Sequence, residues 1–160
     1  MKNYVIEDID EALSESGQSA VRLSHEEALK ILSDITEKFT DYRGSEILHW
    51  LWDGHFIENY SVCDLEAYRW MAEFIGENEC LFITYDSNNE EVYVFENGES
   101  LADTYYNSYG NEFYVTDREY TYLFSFNHHD CLSACGEALE WLREYCGERG
   151  IKGRYYKNKR

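Results

Sequence analysis

Apolar residues recur at helical spacing in the first half of this chain and at alternate positions in much of the second. Ser24 followed by Glu27 is a capping box, in which a hydroxyl and a carboxylate satisfy backbone amides at a helix start. Ala28, Leu32, Ile35 and Phe39 then fall on one helical face, which predicts a helix from about Ser24 to Thr40. Residues 7–16 read as an acidic first helix. The segment Ser45–Trp52 reads as a weaker one presenting Ile47, Leu48, Leu51 and Trp52. Ser61 with Asp64 suggests the start of a further helix, with Leu65, Tyr68, Ala72 and Ile75 on one face.

From Cys80 the period changes to two. Cys80–Tyr85 and Glu91–Phe95 flank Asp86-Ser87-Asn88-Asn89, whose side chains can bond their own backbone, so the segment predicts a hairpin. Leu101, Tyr105 and Tyr109 suggest a short helix stopped by Gly110, where a left-handed cap suits glycine. Glu112–Thr116 and Tyr120–Phe126 predict a second hairpin, with Tyr120, Tyr122, Phe124 and Phe126 on one face. Cys131–Cys135 reads as a fifth strand, and a final helix from Gly136 to about Arg149 buries Ala138, Leu139, Leu142 and Cys146. The expectation is an α+β domain over residues 1–148: an antiparallel sheet of four or five strands (residues 80–135) covered by N-terminal helices and a C-terminal helix. Residues 149–160 read as a basic tail that either folds back on the acidic body or hangs free as a solvated end, the free end being favoured.

Charge sharpens this picture. The net charge is −18, and six of the 14 lysines and arginines lie after Glu148, so eight basic residues stand against 32 acidic ones in the body. Between Arg69 and Arg118 there is no lysine or arginine, yet eleven acidic residues interleave with aromatics there. Such a surface attracts cationic partners and repels phosphate backbones and anionic lipid, so direct nucleic-acid binding is not expected. A surface that only confers solubility is the plain alternative. Fifteen tyrosines and four tryptophans favour recognition, because these side chains anchor interfaces. Met1–Asp10 carries acids where a signal peptide needs apolar residues, and no run reaches membrane-spanning length. A cytoplasmic protein is the expectation, with its five cysteines reduced.

The segment Asn127–Gly136 holds His128, His129, Asp130, Cys131 and Cys135, the residue types of a zinc site or a cysteine nucleophile with a histidine base. The spacing argues against both, since no second Cys/His cluster exists to complete a tetrahedral site and Cys131 follows His129 too closely for their side chains to meet. No metal, cofactor or catalytic residue is assigned.

Three strings, Phe113–Asp117, Tyr122–Asp130 and Gly136–Leu142, resemble the C-terminal half of small bacterial proteins of unknown function. In size, acidity and layout these are similar to the immunity proteins of polymorphic-toxin and contact-dependent-inhibition systems. The likeness spans residues 80–145. It implies a cytosolic inhibitor that occludes a toxin domain, often a basic nuclease, without chemistry of its own. The residues themselves nominate Glu90, Glu91, Glu96, Glu99, Asp103, Tyr105, Tyr106, Tyr109 and Glu112 as contacts for a basic protein partner. A DNA-mimic inhibitor of a nuclease and an enzyme or metal protein using His128–Cys135 are the alternatives.

Overall fold

The computed structural model describes residues 4–86, 89–108, 110 and 112–158. Its centre is an eight-stranded antiparallel sheet in the order β1-β4-β3-β5-β6-β7-β2-β8. The strands are β1 (Val21–Arg22), β2 (Glu58–Cys63), β3 (Cys80–Asp86), β4 (Asn89–Phe95), β5 (Phe113–Thr116), β6 (Tyr122–Phe126), β7 (Cys131–Gly136) and β8 (Arg154–Lys157). The helices are α1 (Tyr4–Ser16), α2 (His25–Phe39), α3 (Ala67–Ile75), α4 (Gly98–Tyr106) and α5 (Glu137–Glu148). The α+β class is as expected. The sheet is larger, because β1, β2 and β8 come from outside residues 80–135.

Alternation along the strands supplies two hydrophobic layers. Phe82, Phe95, Phe113, Phe124 and Phe126 face one way, with Ile9 of α1, Met71 and Ile75 of α3, Leu101 of α4 and Leu142 of α5 packed over them. Leu81, Ile83, Val92, Tyr114 and Leu123 face the other way, against Leu32, Ile35 and Phe39 of α2 and against Leu51 and Phe56 of the segment 41–57. Sheet-central strands are therefore buried on both sides, as the uninterrupted burial of β5 and β6 shows.

Local signals hold where capping or alternation is strong. Ser24 Oγ accepts from the Glu27 amide at 3.2 Å and the Glu27 carboxylate accepts from the Ser24 amide at 3.4 Å, so α2 starts at its capping box. In α5 the residues Ala138, Leu139, Leu142 and Cys146 are all buried. The first hairpin has the register Asp86↔Asn89 at its end, with Ser87 and Asn88 outside the described residues.

Five expectations need correction. Ser45–Trp52 is not a helix but bends and turns. Its backbone is claimed from outside: the buried Tyr114 hydroxyl donates to the His49 carbonyl and accepts from the Leu51 amide at 2.8 Å. Ser61 lies within β2, where Tyr60 and Val62 alternate inward, and the next helix starts only at Ala67, with Leu65 exposed outside it. Tyr120 has φ 54 and precedes β6, so it packs on the α2 side, away from Tyr122, Phe124 and Phe126. The basic tail is not a free end: β8 pairs with β2 from Glu58↔Lys157 to Ser61↔Arg154.

Finally, not all cysteines are free. Cys63 and Cys131 face one another in the β2–β7 register and are joined by a disulfide, while Cys80, Cys135 and Cys146 are free and buried. Burial and the nearby Glu79 push the Cys80 thiol up to about 12, so its reactive thiolate is scarce in the native state. Alkylation of the unfolded, unreduced chain is expected to block three thiols, Cys80, Cys135 and Cys146. Mass spectrometry that finds all five blocked without reductant rejects the bond.

Candidate binding groove

Helices α3 and α4 each bury one stripe and offer another. In α3, Tyr68, Met71 and Ile75 turn into the core. At helical spacing Arg69, Ala72, Glu73 and, just past the helix, Gly76 form the stripe that flanks the buried one. In α4, Leu101 and Thr104 are buried, while Glu99, Asp103 and Tyr106 follow one another outward at positions i, i+4 and i+7. Asn97 caps α4 by accepting from the Ser100 amide at 2.8 Å, and Glu99 in the first turn suits the positive helix end.

Gly98 brings these stripes together. A Cβ built there would lie 2.5 Å from the Ala72 carbonyl oxygen and 2.8 Å from its Cα, a distance no side chain tolerates. The bare backbone instead donates from Gly98 N to Gly76 O at 2.9 Å. Between the helices runs an open groove of about 390 Å³, lined by Ala72, Gly76 and Ala102 together with Glu73, Glu77, Glu99, Asp103 and Arg69. Small residues let a ligand reach the backbone, and carboxylates from both helices set the sign of the charge.

The single arginine of the groove is already engaged. Its Nε donates to Glu66 at 2.8 Å, and its guanidinium lies over the rings of Tyr68 and Tyr106, at 5.2 and 4.9 Å from their centroids. Tyr106 itself is 65% exposed, with the Arg69 guanidinium over its ring. Asp103 accepts a long hydrogen bond from Gln18 at 3.4 Å, which leaves room for a stronger donor.

Of the nine nominated residues, Glu99 and Asp103 line the groove, and Tyr106 touches it through the Arg69 guanidinium over its ring. Glu96 is exposed at the end of β4, and Glu91 is half-buried in β4 opposite Thr84. Glu90 is buried and pairs with His49 Nε2 at 2.6 Å on the α2 side of the sheet. Glu112 accepts from Trp52 Nε1 at 3.2 Å and pairs with His128. These two carboxylates hold the segment 41–57 and the turn at His128 onto the sheet. Tyr105 packs into the core between Tyr68 and Phe113, with centroids at 4.7 and 4.9 Å, and burial pushes its hydroxyl up to about 12. Tyr109 lies outside the described residues. The nine therefore do not form one face.

Glu73, Glu77 and Arg69, the other wall of the groove, were not nominated. Their signal is the run Arg69, Ala72, Glu73, Gly76 along the flank of the apolar stripe of α3. Its pairing with α4 has no such signal, because contact between two helices that flank a hairpin leaves no local trace.

At His128 and His129 the rings stand 3.9 Å apart and meet the edge of Trp52, at 5.6 and 6.0 Å. Cys131 is consumed by its disulfide, and Cys135 is almost wholly buried with its thiol pushed far up by desolvation. Neither sulfur is an activated nucleophile. Among the described residues no group of three or more His, Cys, Asp or Glu side chains is placed to hold a metal ion. No described helix is long and apolar enough to cross a membrane.

A family model described as "Family of unknown function (DUF6756)" matches residues 4–145. The chain belongs to this family. No curated protein and no solved structure matches it. The whole DUF6756 match includes α3, α4 and the groove between them, and it stops ahead of β8.

Proposed function

We propose that this protein is a non-catalytic acidic binding protein, an immunity-type inhibitor acting in the cytoplasm on a basic toxin or nuclease domain. The observation that carries the reading is the α3–α4 groove, where Glu73, Glu77, Glu99 and Asp103 surround a floor of small residues and the only lining cation is paired elsewhere. A lysine or arginine inserted there exchanges water for carboxylates at short range, while Tyr106 supplies an aromatic edge for packing. The acidic body adds long-range attraction, which speeds capture and falls with salt.

A DNA mimic calls for long parallel rows of carboxylates. Glu73 of α3, Glu77 just past it, and Glu99 and Asp103 of α4 gather in one short groove, which favours a dedicated protein contact instead. The disulfide at Cys131 and the burial of the free Cys135 thiol likewise give the enzyme alternative no support.

The test begins with capture of a basic protein from the host at low salt, followed by titration of its activity with the purified chain. One equivalent is expected to stop that activity. The combined Glu73→Lys, Glu77→Lys, Glu99→Lys and Asp103→Lys variant is expected to bind about 100-fold more weakly at low salt and to lose most of the salt dependence. Unchanged affinity and salt slope would sink the groove as the contact surface.

A further inference from the structure

The edge of the sheet at β2 already holds an extended cationic strand, and that strand is the chain's own C-terminal segment. β8 reads Arg154-Tyr155-Tyr156-Lys157 and pairs antiparallel with Glu58–Ser61. Asn158 N donates to Ile57 O at 2.7 Å, so Ile57 and Asn158 form a hydrogen-bonded pair. Alternation along an antiparallel ladder then makes Asn59–Tyr156 and Ser61–Arg154 the bonded pairs, and turns the amides of Tyr155 and Lys157 away from β2.

What holds β8 is almost entirely polar. All four of its residues are exposed. Lys157 stands opposite Glu58, the Tyr155 hydroxyl donates to the Glu58 carboxylate, and Asn158 Nδ2 donates to Asp41 at 2.6 Å. Arg143 lies 4.3 Å over the Tyr155 ring. The chain reaches this position from Ile151, which packs on the core, and crosses tightly over the Tyr60 ring at Gly153, where a Cβ would lie 2.3 Å from the ring. Apolar burial thus ends at Ile151, and the strand beyond it is held by ladder bonds, carboxylates and one cation–π contact. A segment with few buried apolar contacts opens locally well before the domain unfolds.

We infer that the β2 edge is a docking site for an extended basic, tyrosine-bearing strand, and that β8 occupies it as a resident stand-in which a partner's strand displaces. Addition of a strand to a sheet edge draws affinity from main-chain hydrogen bonds and specificity from flanking side chains. Here Glu58 and Asp41 select positive or hydrogen-bond-donating side chains, and the ring of Tyr60 selects a small residue at the crossing point. The site itself rests on geometry alone. Its natural occupant rests on the reading of a basic partner given above.

Two measurements on the full chain test this. Hydrogen exchange should show the Arg154 and Tyr156 amides exchanging roughly 100-fold faster than that of Phe124 in β6, through local opening. Exchange of β8 only with global unfolding overturns the inference. The second measurement titrates a peptide of residues 150–158 into the Tyr156→Pro chain, which lacks the amide donated to Asn59. Binding about tenfold tighter than to the unaltered chain is expected, with amide shifts at Asn59 and Ser61, and adding Glu58→Lys should remove it. Equal affinity for both chains, or a peptide that binds as well after its basic residues are changed to glutamate, overturns it. Should Tyr156→Pro fail to fold, excess peptide added to the unaltered chain must shift the same two amides, and absence of those shifts is the negative result. A chain that passes these tests yet captures no basic partner would sink the inhibitor reading and leave the docking site standing.

Discussion

Replacing Gly136 by alanine is expected to destabilise the protein by about 2–6 kcal/mol, the largest effect anticipated for a single added methyl group. Two separate costs combine. Gly136 sits at φ 65 and ψ −139, a region open essentially to glycine alone, as the chain leaves β7 and enters α5. A Cβ there would also lie 2.6 Å from the Thr121 carbonyl oxygen and 3.2 Å from the Phe39 ring. The backbone oxygen cannot retreat without breaking its bond from the Glu137 amide, which joins the start of α5 to the strand at 3.0 Å. Urea denaturation should show the midpoint falling with little change in slope. Gly147→Ala, whose Cβ would meet nothing within 4 Å, is the control and should be neutral or slightly stabilising. Equal midpoints for the two variants would refute the geometry at Gly136.

Alanine at Gly98 should cost less stability and more function. The clash is again with backbone, at the Ala72 carbonyl oxygen and Cα, so relief requires α4 to move away from α3. Overpacking of this kind costs about 1–3 kcal/mol. The displacement widens the groove and breaks the Gly98–Gly76 hydrogen bond. Since charge pairs weaken with distance, affinity for a basic partner is expected to fall about tenfold or more although every carboxylate remains. Thermal melting and binding measured on the same preparation separate the two effects. Full affinity in a folded Gly98→Ala chain would place the partner elsewhere.

These two glycines illustrate where sequence reading stops. Nothing in the sequence around Gly98 announces that a carbonyl from residue 72 will press against it. The same holds at Tyr114, which occupies an inward position of a strand but ends in a hydroxyl that organises His49 and Leu51 across the fold. The apolar spacing of Ile47, Leu48, Leu51 and Trp52 matches a helix. It gives way because Leu51 is buried against the sheet while His49 and Trp52 bond to carboxylates of β4 and of the residue before β5. Tertiary bonds to a segment of weak intrinsic helicity outweigh its periodicity.

The candidate site was legible by half. Glu99, Asp103 and Tyr106 could be picked out as acids and aromatics on one short stretch of chain. Glu90 and Glu112 look the same in sequence, yet they serve as internal ties for His49 and His128. A carboxylate's identity carries no information about whether a histidine ring will arrive to bond it. Tyr105 and Tyr106 are adjacent and differ completely, one in the core and one over Arg69, because a helix turns successive residues about 100° apart.

By itself the sequence determined the elements whose cause is local: α2 from its capping box, α5 from its apolar stripe, and the strands of residues 80–136 from alternation and turn residues. It also determined the acidic character of the surface, since charge is a property of composition. Only the tertiary structure decided that β2 and the basic tail join the sheet, that Cys63 meets Cys131, and that α3 and α4 close on a groove. Each of those depends on contact between residues distant along the chain, and such contacts are settled by packing and register.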